Sequence, residues 1–318
     1  MLVALALLFI SRAEGYRTLL LGVFALGMGG GALNGAANTL VADLHKDPQK
    51  KASALNLLGV YFGFGALFLP FIIASVLRSL GLIPILYIAA VLSLAPGLLF
   101  LFQAFPRPKT SQGLPLAEAG QMIRNPLVLL LGFLLFFESG NEFIVGGYTS
   151  TYLKNTLGSS ISVASYILAA YWAAMMLGRV VSSRLLLRLK SSTLVLISAI
   201  GSALGGSFLL LAASSSGAVV GVVLIGLSFA SIFPTTLGVA GSHFETLSGT
   251  VFGILFGIGL TGGMTLPWAV GQISETLGLR TGLGVVVIDA VMILILQICV
   301  RRFNEEKRSL GIEGKVLK

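Results

Sequence analysis

Apolar residues in this chain gather into long runs, not into the short alternating or amphipathic patterns of a soluble fold. Crossing about 30 Å of hydrocarbon takes roughly 20 helical residues. Nine runs meet that length, near 16–44, 52–77, 82–105, 126–157, 162–189, 194–214, 217–241, 249–275 and 279–300. Membrane-spanning strands would alternate polar and apolar positions, and these runs do not. The pattern therefore predicts an all-α polytopic membrane protein. Residues 1–11 are apolar as well, but a helix of that length rises only ~16 Å. This stub reads as the end of a helix whose beginning lies upstream.

The connections between runs predict the orientation. With the loop at 45–51 placed in the cytoplasm and the sides alternating from there, Arg12, Arg17, Arg78, Lys154 and Arg280 fall on the far side. The remaining sixteen of the 21 Lys and Arg residues fall on the cytoplasmic side, the asymmetry expected of inward-facing loops. One connection, 106–125 (PRPKTSQGLPLAEAGQMIRN), is long, polar and proline-containing, and reads as a cytoplasmic linker. It separates an incomplete N-terminal helical half, 1–105, from a six-helix C-terminal half, 126–303. Residues 304–318 form a cytoplasmic tail. If the halves are alike, as internal repeats in transporters are, the first lacks two helices and part of a third.

Composition agrees with this reading. The 318 residues are 56% hydrophobic and 10% charged, against about 25% charged in soluble domains, and the mean hydropathy is +0.96. A net charge of +9 on a soluble domain would raise nucleic-acid binding; here the asymmetric loops account for it, and no nucleic-acid partner is expected. Cys299 is the single cysteine, so no internal disulfide can form. The start carries no basic region or small-residue cleavage site of a secretory leader. His45 and His243 have no partner at metal-ligand spacing, so no metal site is expected. No nucleophile–base arrangement or phosphate loop is present, which argues against an enzyme or an ATP motor.

Several segments share a likeness in order and spacing: GALNGAANTLVADL at 31–44, ALNLLGVYFGFGALFLPFI at 54–72, FFESGNEFIVGGYTSTYL at 136–153, YWAAMMLGRVVSSRLLLRL at 171–189, IFPTTLG at 232–238 and GIGLTGGMTLPWAVGQISETLGLRTG at 257–282. Together they resemble the major facilitator superfamily from its third helix to its twelfth, and within it the fucose-permease-like sugar:proton symporters. The resemblance implies two six-helix halves, a substrate site between them near the midplane, alternating access by rocking and a monomeric protein. It also implies a multi-pass protein of the plasma (inner) membrane. Asn38 and Asn56 match the fucose-type pattern. Asn34 stands where those members carry a glutamate, and Gly59 and Phe62 stand where they carry Gln and Asn. The fold is therefore expected to transfer, and the fucose-recognition chemistry is not.

Candidate chemistry sits in the middle of the runs. Glu138 and Glu142 are four residues apart, on one helical face and near the centre of their span. Carboxylates at that depth are costly and face a cavity or a partner. Two so close repel when both ionise, so sharing a proton is favoured, which suits a proton-coupled carrier; a pair of neutral acids locking helices together is the alternative. Glu142 matches the family's seventh-helix glutamate. Asp289 lies midway along the last run among wholly apolar neighbours, as a further proton site or a structural acid. Asn34 and Asn38 share a face and offer amides suited to sugar hydroxyls, or interhelical hydrogen bonds; Asn56 reads as structural. Tyr148, Tyr171, Trp172 and Trp268 are candidates to stack on a sugar ring, with interfacial anchoring as the alternative. Arg179, placed at the inner end of its helix, resembles part of the superfamily's signature loop and is a candidate gating latch, or a basic side chain reaching the interface. Gly27, Gly31 and Gly35 form a small-residue ladder for close packing.

The expected function is secondary active transport of a sugar or similar small polar solute, coupled to protons or, as an open alternative, to sodium, with no cofactor. A truncated, non-transporting membrane protein and a superfamily transporter of a non-sugar substrate are the competing readings.

Overall fold

A computed structural model describes residues 1–105 and 116–309. The described residues are helical throughout their ordered elements, and nine helical segments among them are long and apolar enough to cross a membrane. The positions agree with the nine apolar runs. In chain order the helices are α1 (Leu2–Ile10), α2 (Tyr16–Asp43), α3 (Pro48–Leu80), α4 (Leu82–Phe100), α5 (Leu116–Ile123), α6 (Pro126–Asn155), α7 (Ile161–Leu185), α8 (Ser191–Leu211), α9 (Ser215–Phe229), α10 (Ile232–His243), α11 (Ser248–Leu277), α12 (Leu279–Gly282) and α13 (Val285–Ser309). Of the expected linker at 106–125, residues 106–115 lie outside the described residues, and α5 occupies part of the remainder. In the expected tail α13 continues to Ser309, while 310–318 lie outside the described residues.

Contacts divide the chain into two compact units. One is drawn from Met1–Asn38 and Ala66–Gly113, the other from Thr39–Gly65 and Leu114–Lys318. In the first, α1 packs on α4 and buries Ala4 and Ala6. It also lies against α2 where α2 has no side chain: a Cβ on Gly29 would stand 2.9–3.0 Å from Val3.

In the second unit α6 is the central post, packed on α11 and α13. Its start is well specified. Pro126 at the first helical position needs no N–H partner, and the Asn125 side chain accepts from the Leu127 and Val128 amides, covering donors that a helix end leaves open. Lipid tails are as apolar as leucine, so helices here gain little by hiding apolar surface from one another and associate through close packing and hydrogen bonds. Glycine makes the closest approaches. A Cβ on Gly262 of α11 would fall on the main chain of Phe136 in α6, and one on Gly221 of α9 would meet the main chain of Leu209 and Gly205 in α8.

The run read as one span near 217–241 is interrupted in the structure. α9 ends at Phe229 and α10 begins at Ile232. Pro234 explains the break: it lacks an N–H, and its ring clashes with the carbonyl four residues back, which is that of Ala230. Non-helical backbone at this depth survives only where protein satisfies it. Here the Arg179 guanidinium donates to the Ala230 carbonyl at 3.4 Å, and Ser231 pairs with Ser198 of α8 at 2.8 Å.

Candidate functional site

Glu138 and Glu142 lie at the centre of α6 on one face. Glu138 is 1% exposed, and its Oε2 accepts a long 3.4 Å hydrogen bond from the Ser139 hydroxyl. Glu142 is half-buried. Counted from the α6–α7 connection, Arg179 on α7 comes to nearly the same level as Glu138. Glu138, Glu142, Arg179 and Tyr171 all lie within electrostatic range of one another. Four side chains singled out in the sequence thus converge on the seam between α6 and α7.

Arg179 is not at the inner end of its helix, where the sequence reading placed it. It stands six residues before Leu185, ~9 Å from the helix end, and is buried. Its guanidinium donates to two main-chain carbonyls instead of to a carboxylate. Nε reaches the Ala230 carbonyl at the α9–α10 break, and Nη1 reaches that of Gly59 in α3. Gly59 allows this close approach: a Cβ would stand 3.0–3.1 Å from Arg179 Cδ, Nε and Nη1, so the arginine would have to shift. Sequence reasoning marked Gly59 as a departure from the fucose-type pattern and overlooked both carbonyls. The available signal was Pro234, four residues beyond Ala230.

Tyr171 is fully buried, and its hydroxyl has no hydrogen-bond partner. Its ring meets that of Trp172 edge-on, with centroids 5.1 Å apart. Trp172 is half-buried and packs against α6 at Gly146, where a Cβ would lie 3.3 Å from the indole. The other candidates are placed differently. Tyr148 donates its hydroxyl to the Pro267 carbonyl of α11 at 3.0 Å, and Trp268 on the same helix is 68% exposed. Asp289 is buried on α13, with Oδ2 unpartnered. Asn34 and Asn38 belong to the first unit, where the Asn38 amide donates to the Asn34 side-chain and main-chain oxygens, both at 2.9 Å.

The stretch of α3 inside the second unit is held by a ladder of polar bonds. Lys51 is buried and donates to the Gly241 carbonyl at 2.7 Å, close to the negative end of the α10 dipole. Asn56, also buried, donates to Thr235 Oγ1 at 3.2 Å. Arg179 and Gly59 form the next rung. One turn from the start of α3, Ala52 packs so closely on Gly238 that a Cβ there would lie 2.7–2.8 Å from it. Beside this ladder, Ser248 at the start of α11 donates to Asp43 at 2.9 Å.

Comparison with known proteins decides the family. The profile of the Major Facilitator Superfamily matches residues 1–267 and 131–314. The chain belongs to the major facilitator superfamily. As a superfamily member with this fold it is a multi-pass membrane transporter. It is 24% identical over 285 residues to the uncharacterised transporter y4wD of Sinorhizobium fredii, covering 87% of this chain and 73% of that one. It is 27% identical over 181 residues to Bypass of stop codon protein 6 of Saccharomyces cerevisiae, covering 50% of this chain and 34% of that one. The superfamily fold is seen directly in solved structures. FucP in the outward conformation superposes with a TM-score of 0.77 at 20% identity, covering 94% of this chain and 80% of that one. A variant of the Escherichia coli fucose:proton symporter FucP gives 0.76 at 18% identity with the same coverage. The human organic anion transporter MFSD10 gives 0.73 at 19% identity, covering 94% of this chain and 74% of that one.

Proposed function

We propose that this superfamily transporter moves a sugar or similar small polar solute, coupled to protons through Glu142 together with Glu138. The supporting observation is the pair of carboxyl groups at the centre of α6, with Arg179 and Tyr171 within electrostatic range and, among the described residues, no carboxylate–guanidinium ion pair quenching them. Acids kept this far from water are costly to ionise, and a neighbouring cation lowers that cost without abolishing it. A proton that binds and leaves such a pair changes the charge at the heart of the helical unit in each cycle. The fold likeness to a fucose:proton symporter is in keeping with this.

Tyr171, within electrostatic range of the carboxyl groups, and Trp172 beside it are the proposed ring-stacking contacts. Tyr148 and Trp268 are proposed as further aromatic contacts, and the exposed amides of Asn34 and Asn38 as partners for hydroxyl groups. Asp289 is a third candidate proton carrier and Arg179 the candidate gating residue. The plasma (inner) membrane is the proposed location, and the Lys and Arg asymmetry supports an orientation with 106–125 and the C-terminus in the cytoplasm.

The test is uptake into proteoliposomes. An imposed inward proton gradient should drive accumulation of a member of a panel of labelled sugars, with alkalinisation outside. Glu142→Gln mimics the protonated acid, so it should lose gradient-driven accumulation while still exchanging labelled for unlabelled solute. Full accumulation by Glu142→Gln removes that residue from coupling. Failure to move any sugar, by protein that does move other solutes, removes the substrate class.

A further inference from the structure

Arg179 bonds to groups that cannot change their charge, beside two that can. Its two acceptors are the carbonyls of Gly59 and Ala230, and its electrostatic neighbours are Glu138 and Glu142. Ala230 belongs to the same helical group as Arg179: α7 packs on α9, and a Cβ on Gly178 would meet both Ala230 and the Leu227 main chain. Gly59 is the other kind of partner. It lies on α3, whose nearby attachments include the bonds from Lys51 and Asn56 and the close contacts of Ala52 with Gly238 and of Gly63 with Met176.

Building on the reading of Glu138 and Glu142 as a proton site, we propose that Arg179 is a positioning residue that latches α3 through the Gly59 carbonyl while the carboxyl pair is protonated and releases it when the pair ionises. From an ionised carboxylate a guanidinium gains a net Coulombic attraction and a two-pronged geometry that a neutral carbonyl cannot offer. A protonated pair therefore leaves the guanidinium on the carbonyls. An ionised pair draws it towards α6, and the Gly59 bond is the one given up, because the Ala230 carbonyl travels with α7. Arg179 fits closely over Gly59, where a Cβ would stand 3.0–3.1 Å from its side chain.

The surroundings contain few other groups to compete. Tyr171 faces the same carboxyl groups from α7. α9 carries no ionisable side chain, and α10 carries His243 at its end, bonded to the Val239 carbonyl. α11 contributes Glu275, at its far end. α13 contributes Asp289 in its first turns and a group of charges from Arg301 onward. On α3, Lys51 is engaged with Gly241, and Tyr61 is exposed.

Ser53 is buried on α3, between Lys51 and Asn56. A near-isosteric Ser53→Cys in a Cys299→Ser background reports release of this stretch by its labelling with a water-soluble maleimide. Rates are taken in proteoliposomes across a pH series and divided by those of the denatured protein at the same pH. Labelling should rise several-fold as pH increases. Glu138→Gln with Glu142→Gln should hold it low throughout, and Arg179→Gln should hold it high throughout. Gly59→Ala, which leaves every charge in place, should raise it at low pH. A flat wild-type profile, or a pH response that survives in the double glutamine variant, overturns the latch. Gradient-driven uptake in the same vesicles separates the two readings. If Glu142→Gln loses uptake while wild-type labelling stays flat, the proton site stands and the latch falls. If wild-type labelling follows pH while Glu142→Gln keeps full uptake, the latch stands and the coupling role of Glu142 falls.

Discussion

Gly262 offers the sharpest test of how the helical unit is built. It sits on α11 where that helix crosses α6, and a Cβ there would fall on the carbonyl, carbonyl carbon and Cα of Phe136. Main chain cannot swing aside as a side chain can, so Gly262→Ala must push α6 and α11 apart. Overpacking a tight interior costs about 1–3 kcal/mol, and a clash with backbone belongs at the upper end. At roughly 2–4 °C per kcal/mol, a loss of about 3 kcal/mol lowers Tm by roughly 6–12 °C. Two neighbours serve as internal controls. A Cβ at Gly257, on the same helix, meets nothing within 4 Å; Gly257→Ala gains up to ~1 kcal/mol of helix propensity and should leave Tm unchanged or slightly raised. Gly140→Ala on α6 would meet the Leu266 side chain, whose Cδ1 can rotate away while its Cβ, at 2.9 Å, cannot, so its loss should be intermediate. The assay is thermal unfolding of the three purified variants in one detergent at one scan rate. Uptake should follow the same order, because Phe136 precedes Glu138 by two residues and its displacement moves the carboxyl pair. Equal stability of Gly262→Ala and Gly257→Ala would refute the backbone-contact argument.

Three further outcomes are expected. Asn56→Ala removes the bond to Thr235 and should cost roughly 0.6–2 kcal/mol; a double-mutant cycle with Thr235→Val, read by thermal unfolding, should show the two losses to be non-additive. Tyr148→Phe removes the hydroxyl bond to the Pro267 carbonyl and should cost about 0.5–1.5 kcal/mol; a raised KM with that small loss would assign the hydroxyl to the solute, an unchanged KM to helix packing. Asp289→Asn should impair gradient-driven accumulation if the residue carries a coupled proton, and full accumulation by that variant removes it from the coupling set.

Much of this architecture is legible in the sequence because a bilayer leaves few choices. A spanning helix needs a minimum apolar length, so the runs at 126–157 and 249–275 foreshadow α6 and α11 within a few residues. The pairing of Glu138 with Glu142 is equally visible, since four residues make one helical turn. What escaped was anything that depends on a carbonyl. Hydropathy is blind to the break at Ala230, because the apolar run continues through it, although Pro234 marks the place. Arg179 was set at a membrane surface because a long basic side chain is expected to reach water. In the folded protein two main-chain oxygens on other segments take the role of water, and no local pattern shows that they will be there.

The seams of the second unit fall into two physical kinds, and the difference bears on which of them can open. α6 meets α11, and α8 meets α9, through glycines set against main chain at Gly262, Gly205 and Gly221. Separating such a seam forfeits many dispersion contacts at once and offers nothing to hydrate in exchange. The inner stretch of α3 adds polar attachments: Lys51 on Gly241, Asn56 on Thr235 and Arg179 on Gly59. Each of those groups can exchange its partner for water at little net cost. Ala52 against Gly238 and Gly63 against Met176 of α7 are close contacts along that stretch, and Leu55 is buried in the core. A transporter must keep most of its helices together while parting a few, and the attachment of α3 combines glycine packing at Gly63 and Gly238 with replaceable hydrogen bonds. The Gly59 bond is the rung nearest the carboxyl pair, so it is the first that a change of charge there can reach.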